Sequence, residues 1–325
     1  MIFGLGAVGS PHILMLSGIG PKAHLKSLDI KVVCDLPVGE HLKDHVVVPF
    51  YFLMKNDTSI GITPELTPDQ FFDYFNYKSG PLVQFPKTLT YYSTELNSEE
   101  EYPDTCIYAW VESYLSDVSK MVLRFEKKVR KQWEDYYRQF LNRNYFYAAV
   151  SVVRIQSEGY LRLKSADPFD NPIIDPKYLS VRQDFDAFVD VIKFFYYVIE
   201  MTPFSKYVYI PKPIPGCNYC LDRPLHECDS YINCIIRQIG LRDYHLGGSC
   251  RMGSANRSDT VVDERLRVKG IKNLRVIDSS VMSDMVNANT HAVSMMIGEK
   301  GAHILKEDNR HIFDANDYHF HKHNF

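Results

Sequence analysis

The side chain best placed to do chemistry is His245, in Tyr244-His245-Leu246-Gly247-Gly248-Ser249-Cys250-Arg251-Met252-Gly253. An imidazole titrates near physiological pH and serves as a general base, and the two glycines that follow let backbone come close to something flat. Downstream, Asn287-Ala288-Asn289-Thr290-His291 is polar and cap-forming. It opens Ala292 to Lys300, whose apolar residues recur at helical spacing. A polar cluster at a helix N-terminus meets free N–H groups and the positive end of the macrodipole, so it attracts negative charge. A lone histidine and such a cluster together make the layout of a base facing an oxyanion site.

The flanking segments read as the elements that hold this pair. Leu266-Arg267-Val268 and Leu274-Arg275-Val276-Ile277-Asp278 are short alternating runs split by Lys269-Gly270-Ile271-Lys272-Asn273, a strand–turn–strand pattern. A helix is expected from Pro11 to Leu16, with Ser10 as N-cap and Pro11 at its first position. A second short helix is expected over Lys22 to Leu28, and Ile30-Lys31-Val32-Val33-Cys34 alternates as a strand.

Two long motifs carry a family resemblance. Residues 244–308 resemble the C-terminal segment of the glucose–methanol–choline (GMC) oxidoreductases, flavoenzymes that oxidise alcohols with FAD, and above all their insect glucose-dehydrogenase-like members. Independently, Gly6-Ala7-Val8-Gly9-Ser10-Pro11-His12-Ile13-Leu14-Met15-Leu16-Ser17-Gly18-Ile19-Gly20 fits the family's second signature position by position. Two motifs in the right order and far apart are more specific than a single glycine fingerprint. The fold implied is mixed α/β (α+β): part of a Rossmann-like FAD-binding domain, plus a substrate domain with an antiparallel sheet flanked by helices.

The resemblance also assigns roles. Oxidising an alcohol removes the hydroxyl proton as hydride leaves the carbinol carbon for flavin N5, and His245 matches the family's base. Counting along the sequence puts Asn289 at the second catalytic position, where its amide would donate to the developing alkoxide. His291 lies two residues on, where many relatives carry a second Asn, and is the partner itself if the register is off by two. Cofactor contacts are implied for Gly6, Ala7, Asp278, Ser279, Asn289, Thr290 and His291. Leu36 to His45 matches the loop leading out of the flavin domain, with His41 where the family usually has Asn.

By the same resemblance, residues 1–45 belong to the FAD-binding domain and 46–240 form the substrate domain. Residues 241–308 return to the FAD-binding domain, and 309–325 are a polar tail. Val46 to Phe52, Ser151 to Ile155 and Gly159 to Leu163 are strand-like. Asp184 to Met201 is a long amphipathic helix, and Lys120 to Arg143 is charged and helix-like, read as a solvated face. No signal peptide and no G-x-G-x-x-G strand–turn–helix unit for the FAD pyrophosphate is recognised ahead of the first motif. The chain is therefore read as the C-terminal half of a longer enzyme.

Composition excludes other classes. The chain has 325 residues, 45% of them hydrophobic, and a net charge of -3, so no basic excess points to nucleic acid. No apolar run is long enough to cross a membrane as a helix. The 22 Tyr and 19 Phe are assigned mainly to core packing rather than to a lined pocket. Among seven cysteines, Cys217, Cys220, Cys228 and Cys234 surround His226, but without paired C-x-x-C spacing for zinc. The resemblance implies a Cys217–Cys234 disulfide and a secreted protein, with which sequons at Asn56 and Asn256 are compatible. The function expected is oxidation of an alcohol or sugar, with oxygen or a quinone as electron acceptor. The alternatives are a non-catalytic binding protein that keeps the site by descent, and a metal module on the 217–234 cysteines.

Overall fold

The computed structural model describes residues 1–55, 67–79, 87–99, 101–112 and 127–310. The sequon at Asn56, Gln84 to Pro86, most of the 309–325 tail and the first residues of the charged 120–143 segment lie outside them. The chain forms two compact units. The first comprises Met1–His45, Arg154–Val181 and Asp243–Phe325, the second Val46–Val153 and Arg182–Arg242. Residues 154–181, assigned from sequence to the substrate domain, thus pack within the first unit.

In the first unit β1 (Ile2–Phe3) turns directly into α1 (Gly6–Leu16). Gly6 makes the turn at φ +75°, in the left-handed region that favours glycine. Gly4, Gly6 and Gly9 have G-x-G-x-x-G spacing here, so such a strand–turn–helix unit does occur within the chain, overlapping the start of the second signature. The helix begins at Gly6 rather than Pro11, which corrects the expected cap. Ser10 instead donates its hydroxyl to Asp278 Oδ2 at 2.6 Å and accepts the Leu5 N–H at 3.2 Å. Pro11 consequently sits in the second turn, where its ring removes the N–H that the Ala7 carbonyl would accept. The hydroxyl of Ser249 donates to that carbonyl at 2.7 Å and replaces the missing donor.

Next come β2 (Ile19–Gly20), α2 (Lys22–Ser27) and β3 (Cys34–Asp35), with β2 and β3 parallel. The strand expected over Ile30 to Cys34 contributes only its last residue. The Val33 and Cys34 N–H groups both turn to the Gly18 carbonyl, which closes a turn instead of a ladder. β8 (Tyr160–Arg162) pairs antiparallel with β9 (Ile173–Asp175), and β12 (Arg275–Val276) pairs parallel with β1. The expected strand–turn–strand before it is held by an Arg267–Arg275 antiparallel bridge. α7 (His291–Asp308) closes the unit. Leu14, Met15, Leu42, Leu161, Val276 and Ile297 are buried together, each contributing about 1.5–3 kcal/mol relative to exposure.

The second unit is built on an antiparallel sheet. β4 (Val46–Met54), β7 (Tyr145–Val152), β6 (Thr105–Glu112) and β5 (Lys87–Tyr92) lie side by side in that order. The short β10 (Val208–Tyr209) and β11 (Leu241–Arg242) share the other edge of β4. β-Branched and aromatic residues make β4 a strong strand former. Pro49 falls between the stretches paired with β11 and β10, a place where a strand proline costs no ladder bond on that edge.

α5 (Arg182–Met201) turns Phe185, Phe188, Ile192, Phe195 and Ile199 inward at helical spacing, with Phe195 against Phe50 at 4.9 Å between rings. α3 (Pro68–Tyr77) carries a capping box from Thr67. α4 (Arg130–Tyr137) buries Trp133 and Tyr137, so the charged segment has an apolar face as well as a solvated one. The segment before α6 (Asp229–Ile239) is held by two disulfides, one of which reaches Cys234 inside the helix. Cys217 is bonded to Cys234 as implied, and Cys220 to Cys228, a second bridge that the sequence did not indicate. All four cysteines are consumed, and His226 pairs with Glu200 at 2.7 Å. That arrangement replaces the zinc alternative for this loop.

Candidate active site

The His245 segment is fixed from both sides by backbone. Gly247 and Lys43 exchange both hydrogen bonds, at 3.0 and 3.1 Å, and the Gly39 N–H donates to the Ser249 carbonyl at 2.7 Å. On the other side Gly248, Cys250 and Met252 donate to the carbonyls of Ser279, Ser280 and Val281. Gly248 is required here: its φ is +81°, and a Cβ would stand 2.5 Å from the His41 carbonyl oxygen. Cys250 is fully buried, and burial pushes its thiol pKa well up, so it is packing rather than a nucleophile.

Tyr244 precedes the histidine at φ +60°. The turn aims the His245 N–H at Asp44 Oδ1, 2.7 Å away, while the Tyr178 hydroxyl donates to Asp44 Oδ2 at 2.5 Å. Burial pushes the Asp44 carboxyl up, and these two hydrogen bonds oppose the shift. Lys43, itself buried, pairs with Asp284 at 2.8 Å and with Glu158 at 3.4 Å. His41 takes the φ of +56° that suits the family's Asn, and its ring meets Glu158 at 2.7 Å.

At the ring of His245, Nε2 is 3.3 Å from the amide nitrogen of Asn289. An amide nitrogen only donates, so Nε2 accepts and the ring hydrogen belongs on Nδ1. Nδ1 in turn lies 3.0 Å from Nδ1 of His45 and 3.2 Å from Oδ2 of Asp243. The Asp243 N–H donates to the His45 carbonyl at 3.0 Å, which binds the two segments at this point. His245 is therefore not a lone histidine. The His45 ring is fully buried, while the His245 side chain keeps 12% of its surface exposed.

Of the site residues named from sequence, His245 and Asn289 come together. His291 does not join them: it is the exposed first residue of α7. Thr290 is buried at the helix start, where its carbonyl accepts the Ser294 N–H and hydroxyl. The Asp278 carboxylate is committed inside the protein, to Ser10 and to the Ser280 N–H, and the Ser279 carbonyl to Gly248. Neither α1 nor α7 begins with a side-chain cap or an acidic first turn, and a Cβ on Gly6 would meet nothing within 4 Å. First-turn N–H groups beside open space suit the polar oxygens of a nucleotide cofactor. Sequence reasoning missed His45, Asp44, Asp243 and Tyr178. The run Lys43-Asp44-His45 and an acid two residues before His245 were visible, but not their pairing across some 200 residues.

Comparison with known proteins gives a consistent picture. The GMC oxidoreductase N-terminal family profile matches residues 1–47 and the C-terminal profile residues 156–298. The chain is 31% identical over 311 residues to "Glucose dehydrogenase [FAD, quinone]" of Drosophila melanogaster, covering 94% of this chain and 46% of that protein. It is 31% identical to "Ecdysone oxidase" of Bombyx mori, covering 94% and 44%. It is also 31% identical to "Alcohol dehydrogenase [acceptor]" of Pseudomonas putida, covering 94% and 50%. The chain thus spans about half the length of the curated relatives it matches. Among solved structures, formate oxidase of Aspergillus oryzae superposes with a TM-score of 0.74 at 24% identity, over 95% of this chain and 54% of that one.

Proposed function

The chain belongs to the GMC oxidoreductase family, and on that premise we propose that it oxidises the CH–OH group of a small alcohol or sugar. The family is FAD-dependent. When bound, FAD supplies the two-electron acceptor for the substrate carbon. The residues that would hold it are Gly6, Ala7, Asp278, Ser279, Asn289, Thr290 and His291, with Asp278 and Ser279 acting mainly through backbone. One observation carries the reading: Asn289 donates to Nε2 of His245 at 3.3 Å.

That contact leaves Nε2 as the basic nitrogen, facing the amide that would share the substrate oxygen. The hydroxyl proton passes to His245 Nε2, and the Asn289 amide donates to the oxygen as negative charge develops on it. His45 accepts the Nδ1 hydrogen and keeps the ring in this tautomer. Asp243 and Asp44 supply negative charge to the imidazolium that forms. The second compact unit, Val46–Val153 with Arg182–Arg242, is the substrate-binding domain on this reading. Oxygen or a quinone takes the electrons onward.

The protein is secreted on this reading, which two disulfides favour because they persist in oxidising compartments. No helix of the described residues is long and apolar enough to cross a membrane. Stopped-flow reduction of the flavin by substrate in the flavin-loaded enzyme tests the proposal. His245→Ala is expected to slow it by roughly 10²–10⁴-fold, the usual worth of general-base catalysis, with flavin still bound. An unchanged rate would remove the assignment.

A further inference from the structure

Next to the reacting face of His245, on the far side of its ring, three potential ligands converge. His45 Nδ1 and His245 Nδ1 are 3.0 Å apart, His245 Nδ1 and Asp243 Oδ2 3.2 Å. One ligand atom from each of the three residues lies within 4.8 Å of the other two. A tetrahedral zinc ion with bonds of about 2.0–2.1 Å sets its ligand atoms about 3.3–3.4 Å apart. Two of the three separations are within a few tenths of an ångström of that. Asp243 Oδ2 is buried and accepts no hydrogen bond among the described residues, although two imidazoles stand beside it. A buried carboxylate oxygen without a donor is costly, and a cation satisfies it. The Asp44 carboxylate, bonded to the His245 N–H, adds a second negative group to the neighbourhood.

We propose that His45, Asp243 and His245 form a site for a zinc-like divalent cation, and that its occupation switches His245 off as a base. The chemistry follows from the tautomer. A neutral imidazole that coordinates through Nδ1 carries its hydrogen on Nε2. Nε2 then has no lone pair for a substrate proton, and it can no longer accept from Asn289. The cation needs no contact with substrate or flavin to act. Three protein ligands leave a fourth position for water. The site itself stands on geometry alone; only its inhibitory effect rests on the proposed function.

Cobalt binding to the chain of 325 residues tests the site without any turnover. His319, His321 and His323 are replaced by alanine in the protein used, so that cobalt held by these histidines is not counted. One Co²⁺ per chain with tetrahedral d–d absorption, displaced by Zn²⁺, is expected. Asp243→Asn, nearly isosteric and retaining the fold by circular dichroism, should weaken binding by about 10–100-fold or more, and His45→Gln likewise. No stoichiometric cobalt, or a spectrum that survives both substitutions, overturns the site. In the flavin-loaded enzyme, Zn²⁺ should abolish flavin reduction by substrate reversibly with chelator, and much less so in Asp243→Asn. Cobalt binding with undiminished reduction under saturating Zn²⁺ overturns the inhibitory role and leaves the base assignment standing.

Discussion

The Nδ1 atoms of His45 and His245 lie 3.0 Å apart, so only one of the two rings carries a hydrogen there. Because Asn289 donates to His245 Nε2, that hydrogen belongs to His245, and His45 is a positioning residue that acts through it. Replacing His45 by Ala should slow flavin reduction by about 10–100-fold, a loss comparable to that of outer-shell partners elsewhere. The drop should fall on the maximal rate of reduction, with little change in the half-saturating substrate concentration. Imidazole ¹⁵N shifts supply the independent readout. They should report Nδ1–H for His245 in the parent protein and a mixture of tautomers in the variant.

The register of the second catalytic position is tested by three substitutions together. Asn289→Ala should reduce the rate of flavin reduction by about 10²–10³-fold, the range for one removed donor to a developing oxyanion. His291→Asn should be mild, since His291 is an exposed first-turn residue of α7. If His291→Asn proves as damaging as His245→Ala while Asn289→Ala is silent, the pairing has been assigned two residues out.

How much of this was legible in the sequence depends on the range of the interaction. Helical periodicity located α5 and α7, because each buries an apolar face, and an unbroken run of β-branched and aromatic residues located β4, which is buried along nearly its whole length. The cap of α1 was misassigned because Ser10-Pro11 is the usual local start signal. What overrides it is distant: Asp278 takes the Ser10 hydroxyl, and Ser249 repairs the carbonyl that Pro11 orphans. The same holds at the site. His245 and Asn289 stand in one C-terminal stretch and could be matched to a motif. His45 arrives from 200 residues away, and no local pattern announces it. The Cys220–Cys228 bridge escaped for a different reason, since four cysteines permit three pairings and spacing does not choose among them.

The repair of α1 has a measurable consequence. Ser249→Ala leaves the Ala7 carbonyl buried without a donor and should cost about 1–3 kcal/mol in denaturant unfolding. Adding Pro11→Ala restores an N–H one turn along the helix. The double variant should therefore recover part of the loss, a non-additivity that two independent sites would not give. Strict additivity would mean that Ser249 stabilises by something other than this bond.

Disulfide mapping and reduction test the loop before α6. Non-reducing peptide maps should recover Cys217 linked to Cys234 and Cys220 linked to Cys228. Replacing Cys217 and Cys234 together by Ser should lower stability by about 3 kcal/mol, the chain-entropy value for a loop near this length. Recovery of all four as free thiols in secreted material would remove both the bridges and the argument for an oxidising compartment.

Acid should weaken the first unit through Glu158. Burial raises its carboxyl, but the His41 hydrogen bond and the charges of Lys43 and Arg251 outweigh that, and the folded-state pKa is depressed. A carboxylate depressed on folding stabilises fully above its unfolded value, about 4.3, and that contribution is lost as pH falls through the folded value. The stability difference between the parent protein and Glu158→Gln should therefore be largest near neutral pH and shrink steadily below about pH 4. Urea unfolding at a series of pH values measures it. A difference that stays constant down to acid would show that Glu158 acts by packing or neutral hydrogen bonding, and that its charge contributes nothing to holding His41 and Lys43.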